Sequence, residues 1–389
     1  MKIVIAPNAF KDSLSAIRIS EIISDKIDEL LPGTEVLQLP VADGGDGLTD
    51  IALKTLAGER ITCEARDPLN RPLQADFCFV RNRKLAIIEM ASVSGLRLLK
   101  DTEKNPMITS TRGTGDLMRS ALDLGAETIL IGLGGSATND GGCGMASALG
   151  VSFFDASGKP VEPIGGKLIN IAKIDMSGLD DRLKTTVIEA ICDVRNPLLG
   201  KEGAAYVYGP QKGASPEDVL ALDSGLDNLA DRIKKDLGKD IRTLESAGAA
   251  GGFGAGLNAF LGAKLRPGID VILDLIEIDK ALENCDLVFT GEGKIDEQTV
   301  FGKAPAGVAA KALQYDIPCI AISGARGVEL TALYNVGFTS LFSICPGPVQ
   351  LQTALDNAEK FLEIAVEQIL RCFMAGRTGK NHLNPLSME

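Results

Sequence analysis

The sequence predicts an α/β protein of two domains, and three observations lead there. Hydrophobic strands alternate with amphipathic helices at both ends of the chain, and glycine-rich polar runs follow several of those strands. The length of 389 residues also exceeds what a single core usually serves. Residues 2–6 form an apolar strand, and a helix follows from about Ser15 to Leu31. Ile19, Ile22, Ile23, Ile27, Leu30 and Leu31 share one of its faces, and Pro32-Gly33 ends it. A second strand at 35–39 completes a βαβ unit, which implies parallel pairing through a right-handed crossover. Residues 60–90 read differently. Three short strand-like runs at 60–65, 73–80 and 84–90 are joined by Asp67-Pro68 and Asn70-Arg71-Pro72, the pattern of an antiparallel meander.

Helical periodicity returns at 116–124, followed by a buried strand at 128–131, a glycine-rich run at 132–144, a short helix at 145–149 and a strand at 151–154. Further helices fit 216–237, 249–262 and 276–284. The chain ends with strand 286–290, helix 304–314, strands 318–322 and 338–343, and one long amphipathic helix at 351–374. Both ends therefore read as parallel α/β. Residues 1–65 and 285–376 are expected to form one discontinuous domain, with 66–284 inserted as a second α/β domain and 377–389 as a tail.

Composition narrows the chemistry. No stretch approaches the ~20 apolar residues a membrane span needs. The short apolar run before Lys11 and Asp12 reads as a strand rather than a signal-peptide core, so a cytoplasmic protein is expected. A formal charge of -12 argues against a nucleic-acid surface, while a local cluster of lysines and amides can still hold an anionic substrate. Eight scattered cysteines without a CxxC pair read as buried, reduced thiols. The only histidine is His382, in the polar tail. A Ser-His-Asp triad, a Cys-His pair or a His-ligated zinc site cannot be assembled from this chain alone. Chemistry must rest on carboxylates, lysines, hydroxyls and bare backbone.

The run Gly132-Leu133-Gly134-Gly135-Ser136-Ala137-Thr138-Asn139-Asp140-Gly141-Gly142 follows a strand and precedes a helix, where amides and the helix dipole favour phosphate. Ser136, Thr138 and Asn139 add hydrogen-bonding groups, and Asp140 is a candidate to face a metal ion. The same run imitates a dinucleotide fingerprint, with Gly132, Gly134, Ala137 and later Asp155, but five residues separate it from its helix. No GxxxxGK[ST] loop occurs. Thr290-Gly291-Glu292-Gly293-Lys294-Ile295-Asp296 leaves another strand and sets a cation and two carboxylates at a sheet edge, and Gly302-Lys303 opens the next helix. Val41-Ala42-Asp43-Gly44-Gly45-Asp46-Gly47 places Asp43 and Asp46 where Mg2+ would suit, since that ion takes few protein ligands. Asp46 also reads as a helix N-cap. Asp193 ends a further β-like run, Lys212 sits in the turn Gly209-Pro210-Gln211-Lys212-Gly213, and Lys11 follows the first strand.

Taken in order, these segments resemble bacterial glycerate kinase of the first family. The resemblance runs from residue 1 to about 370. It is carried by Ala6-Pro7, Phe10-Lys11-x-Ser13-Leu14-Ser15, Ala42-Asp43-Gly44-Gly45-Asp46-Gly47, Gly134–Gly142, Asp193-Val194-x-Asn196-Pro197-Leu198, Gly209–Ala214, Gly248-x-Ala250-Gly251-Gly252 and Thr290–Gly293. It implies a flavodoxin-like α/β domain plus a second α/β domain. The activity implied is ATP-dependent, Mg2+-assisted phosphorylation of D-glycerate to 2-phosphoglycerate. Two positions depart from the family's usual Pro-Asp-x-Phe-Lys-Gly: here Asn8 and Asp12 stand in place of the acid and the glycine.

For such phosphoryl transfer the protein mainly positions groups and neutralises charge. The expected nucleotide-binding residues are Gly134, Gly135, Ser136, Thr138, Asn139, Gly291, Glu292, Gly293 and Lys294. Asp43, Asp46 and Asp140 are the expected metal ligands, with Asp193 a further candidate. Lys11 or a nearby arginine is expected to hold the substrate carboxylate, and Asp193, then Asp296, to accept the hydroxyl proton. The partners expected are glycerate and ATP, without nucleic acid or membrane, and a homodimer is compatible with the sequence. Two alternatives stand beside this reading: a non-catalytic sensor of a glycerate-like anion, and an NAD-dependent hydroxy-acid dehydrogenase.

Overall fold

A computed structural model describes residues 1–10, 12–41, 48–300 and 302–378. The strands, in chain order, are β1 (Lys2–Pro7), β2 (Glu35–Gln38), β3 (Glu59–Arg66), β4 (Pro72–Val80), β5 (Leu85–Glu89), β6 (Thr128–Gly132), β7 (Ser152–Phe154), β8 (Lys173–Asp175), β9 (Val187–Ile191), β10 (Lys264–Arg266), β11 (Leu287–Ile295), β12 (Cys319–Arg326) and β13 (Ser340–Ser343). The chain forms two compact units, Met1–Asp43 with Ile269–Glu389, and Gly44–Gly268.

The first unit carries an all-parallel sheet in the order β2-β1-β11-β12-β13. This is the flavodoxin-like order, in which connections reverse direction between the sheet's first and third strands in chain order, here β1 and β11. The helix Ala16–Leu30 forms where Ile19, Ile22, Ile23 and Ile27 recur on one face, and the Ser15 hydroxyl caps it by accepting from the Arg18 amide at 3.1 Å. That face packs with Ile3 and Ile5 of β1 and with Leu362, Val366, Ile369 and Leu370 of the last helix. The long C-terminal helix read from the sequence is two helices, Leu351–Asp356 and Ala358–Thr378. Asn357 leaves helical geometry between them, and its side-chain amide donates to the Thr353 carbonyl at 2.9 Å.

The second unit is built on a six-stranded mixed sheet, β10-β9-β6-β5-β4-β3. Its first four strands are parallel, and β4 and β3 add the antiparallel meander read at 60–90. β7 and β8 form a separate antiparallel pair. Ile88, Ile129 and Ile131 of the sheet are buried with Phe77 and with Phe253 of the helix Ala249–Leu261. The units change over earlier at both crossings than the sequence-based boundaries near 65 and 285. β3 hydrogen-bonds to β4 along its whole length, which brings 59–66 into the second sheet. At the other crossing, the short helices Gly268–Leu275 and Ile278–Leu282 lead directly into β11. Among the described residues, no helix is long and apolar enough to cross a membrane.

Candidate active site

In the second unit, the glycine-rich run leaves the carboxyl end of β6 and is held on several sides. The Ala137 amide donates to Ser94 O at 2.8 Å, and the Gly141 amide to Gly251 O at 3.1 Å. Only Gly134 and Gly135 are exposed; Ser136 through Gly142 are buried. The following helix, Cys143–Ala148, was expected to offer its free amides to phosphate. Those amides have internal partners instead. Asp140 is completely buried, and its carboxylate accepts from the amides of Gly142 and Gly144 and from both the amide and the hydroxyl of Thr111, at 2.7–3.2 Å. The Thr111 hydroxyl in turn accepts from the Met145 amide at 2.9 Å. Burial pushes the Asp140 pKa up, and the four donors pull it back. Asp140 is thus occupied as the keystone of the loop.

Lys212 completes this arrangement. It is 1% exposed. Its ammonium donates to the Ser136 hydroxyl at 2.9 Å and to the Thr138 carbonyl at 2.7 Å. Burial pulls its pKa down to about 7, against the opposing pull of the Asp140 charge. The Thr138 hydroxyl and both polar atoms of the Asn139 amide are buried beside it without a hydrogen-bond partner. In the sequence Lys212 is only a cation in a turn, because nothing local marks a lysine for burial. The one usable signal is the tight Gly-Pro-x-Lys-Gly frame that turns it inward.

The backbone behind the loop is equally close. Gly251 adopts φ +72, and a Cβ there would lie 2.0 Å from the Thr138 carbonyl oxygen. Asp193, just past β9, is exposed, and its Oδ1 accepts from the Gly268 amide at 2.7 Å.

In the first unit, β11 continues to Ile295, whereas its pairing with β1 ends at Pro7 opposite Gly291. A cavity of about 610 Å³ opens there, at the switch point of the sheet. Asn8, Glu292, Gly293, Lys294 and Lys303 line it together. Glu292 is 7% exposed and accepts from the Thr299 hydroxyl at 2.8 Å and from Lys303 Nζ at 3.4 Å. Lys294 pairs with Asp296 at 2.8 Å, which holds the Asp296 carboxyl below the usual carboxylate range. The Asn8 side-chain oxygen accepts from the Ala9 amide at 2.8 Å. Gly291, Glu292, Gly293, Lys294 and Asp296 are therefore gathered in the first unit, and Gly134–Asp140 and Asp193 in the second. Lys11, Asp43 and Asp46 lie outside the described residues.

The glycerate kinase family model matches residues 3–374. The chain belongs to the glycerate kinase family. It is an enzyme of the kinase class, a phosphotransferase with an alcohol group as acceptor. A glycerate kinase of Bacillus subtilis is 45% identical over 97% of this chain and 99% of its own length. A glycerate 2-kinase of Escherichia coli is 43% identical over 92% and 94%. A solved structure from Salmonella typhimurium, of a protein described provisionally as glycerate kinase 2, superposes with a TM-score of 0.89 at 44% identity, covering 97% of this chain and 99% of that one. Within the family frame, the departure at position 12 has a local meaning. Asp12 has φ +63, a left-handed conformation that costs glycine nothing and that Asp tolerates better than most side chains.

Proposed function

We propose that the protein transfers the γ-phosphoryl group of ATP to the 2-hydroxyl of D-glycerate, giving 2-phosphoglycerate and ADP. The observation that carries this reading is near full-length similarity to curated glycerate kinases, together with the 2-kinase named in Escherichia coli. The switch-point cavity supports it, because it offers a cation-bearing strand end to a phosphate chain.

The proposed roles follow exposure. In the first unit Lys294 and the Gly293 backbone meet the phosphates, while the buried Gly291 and Glu292 shape the strand end behind them. In the second, the exposed glycines Gly134 and Gly135 present bare backbone to an anion, while Ser136, Thr138 and Asn139 shape the loop behind them. Asp140 stabilises that loop instead of binding metal, since both carboxylate oxygens already accept internal donors. Among the described residues, no group of three or more His, Cys, Asp or Glu side chains gathers to cage an ion. Mg2+ brought in with the nucleotide would take most of its ligands from water and phosphate oxygens, with Asp43 or Asp46 supplying the rest. Bound Mg2+ would neutralise phosphate charge. Lys11 receives the substrate carboxylate. Asp193 takes the hydroxyl proton, with Asp296 the second candidate for that role.

Purified protein incubated with ATP, Mg2+ and D-glycerate should release ADP in a coupled assay only when glycerate is present. Binding of glycerate without ADP release would favour the sensor reading instead.

A further inference from the structure

The cavity at the switch point is lined by two chemically distinct sets of residues. Its charged lining residues, Glu292, Lys294 and Lys303, belong to the end of β11 and to the residue that opens the helix Ala304–Gln314. An apolar wall comes from the segment after β13 and the helix Leu351–Asp356. There Ile344, Pro348, Val349, Leu351, Ala354 and Leu355 line the space with no charged side chain among them. Leu351 is 75% exposed, an unusual exposure for leucine on a wall that faces a cavity.

A three-carbon hydroxy-acid has no apolar surface to match that wall, and a cavity of about 610 Å³ is of the size that takes drug-sized ligands. A nucleotide has the required polarity, with a flat apolar base at one end and an anionic chain at the other. We propose that this cavity is the nucleoside subsite, with the purine base against Val349, Leu351, Ala354 and Leu355 and the phosphate chain running toward Lys294 and Lys303. The inference rests on the kinase reading and adds to it where the base sits. The phosphate chain draws Lys303 from its long 3.4 Å contact with Glu292. The wall provides burial of the base without a charged partner, the usual division of labour in cofactor pockets.

Two measurements test this together. Ala354→Trp fills the base end from a half-buried helix position and should raise the KM for ATP at least tenfold, with the KM for D-glycerate and the thermal midpoint unchanged. Irradiation of the wild-type protein with 8-azido-ATP should label a peptide within residues 344–358, and excess ATP should suppress the labelling. A folded Ala354→Trp protein with wild-type ATP KM, or label confined to peptides of residues 44–268, would overturn the subsite while leaving the kinase reading intact. Absence of any ATP-dependent turnover or ATP-suppressible label in the wild type would overturn both.

Discussion

The ammonium of Lys212 lies 2.9 Å from the hydroxyl oxygen of Ser136, so a buried cation is built into the glycine-rich loop of the second unit. A lone buried ammonium is costly, and the loop offsets that cost with two oxygen acceptors and the nearby Asp140 charge.

That burial makes stability pH-dependent in a definite direction. The folded pKa of about 7 lies below the ordinary lysine value of 10.5, so between the two the unfolded chain binds more protons than the folded one. Stability conferred at this position therefore rises with pH through that window and is lost as pH falls toward 7. In urea titrations, wild type should gain about 2 kcal/mol relative to Lys212→Met between pH 7 and pH 9. A constant difference across that range would contradict the buried-lysine account.

Asp140→Asn should destabilise the second unit by about 3 kcal/mol, because an amide turns an NH2 group toward donors that now face carboxylate oxygen. Equilibrium unfolding with a probe in that unit measures it. An unchanged midpoint would mean that the ring of donors is not what holds the loop.

Gly251→Ala should cost about 2 kcal/mol or more, since the new Cβ meets the Thr138 carbonyl oxygen at 2.0 Å and φ is +72. Gly33→Ala is the control. Its φ is +85 but nothing lies within 4 Å of the added carbon, so only the backbone strain of about 1 kcal/mol should appear. Equal losses in the two variants would show that close packing behind the loop is unimportant.

Asp193→Asn should lower kcat at least ~100-fold if its carboxylate takes the hydroxyl proton. Asp296→Asn, at the second candidate for that role, should lower it less. Near-normal turnover of the Asp193 variant would remove it from the base role.

Much of the scaffold is legible in the sequence because period and punctuation agree. The helix at 216–237 carries Ser215 as its cap, Pro216 at its start and Gly238 at its end, and it forms over those residues. The helix at 304–314 is equally plain. The kinked start of the helix Ala249–Leu261 is not, because Ala250, Gly251 and Gly252 take positive φ there and Gly251 packs against Thr138, a contact more than 100 residues away in the chain. The three-residue strand β10 escapes for a related reason: its partner β9 supplies the order that its own length cannot. At the site, glycine clusters mark where backbone is bare but not which amides are already taken. Asp140 reads as a metal ligand in one dimension, and only the fold shows its carboxylate accepting from Thr111, Gly142 and Gly144. Lys212 carries no local sign of burial at all.

The central claim is phosphoryl transfer to the 2-hydroxyl of D-glycerate, and NMR of the reaction mixture with ATP and Mg2+ tests it most directly. The account predicts one new phosphorus signal coupled to the proton on carbon 2, appearing in step with ADP. A signal coupled to the carbon 3 protons, or no phosphorylated glycerate after full incubation, would contradict it.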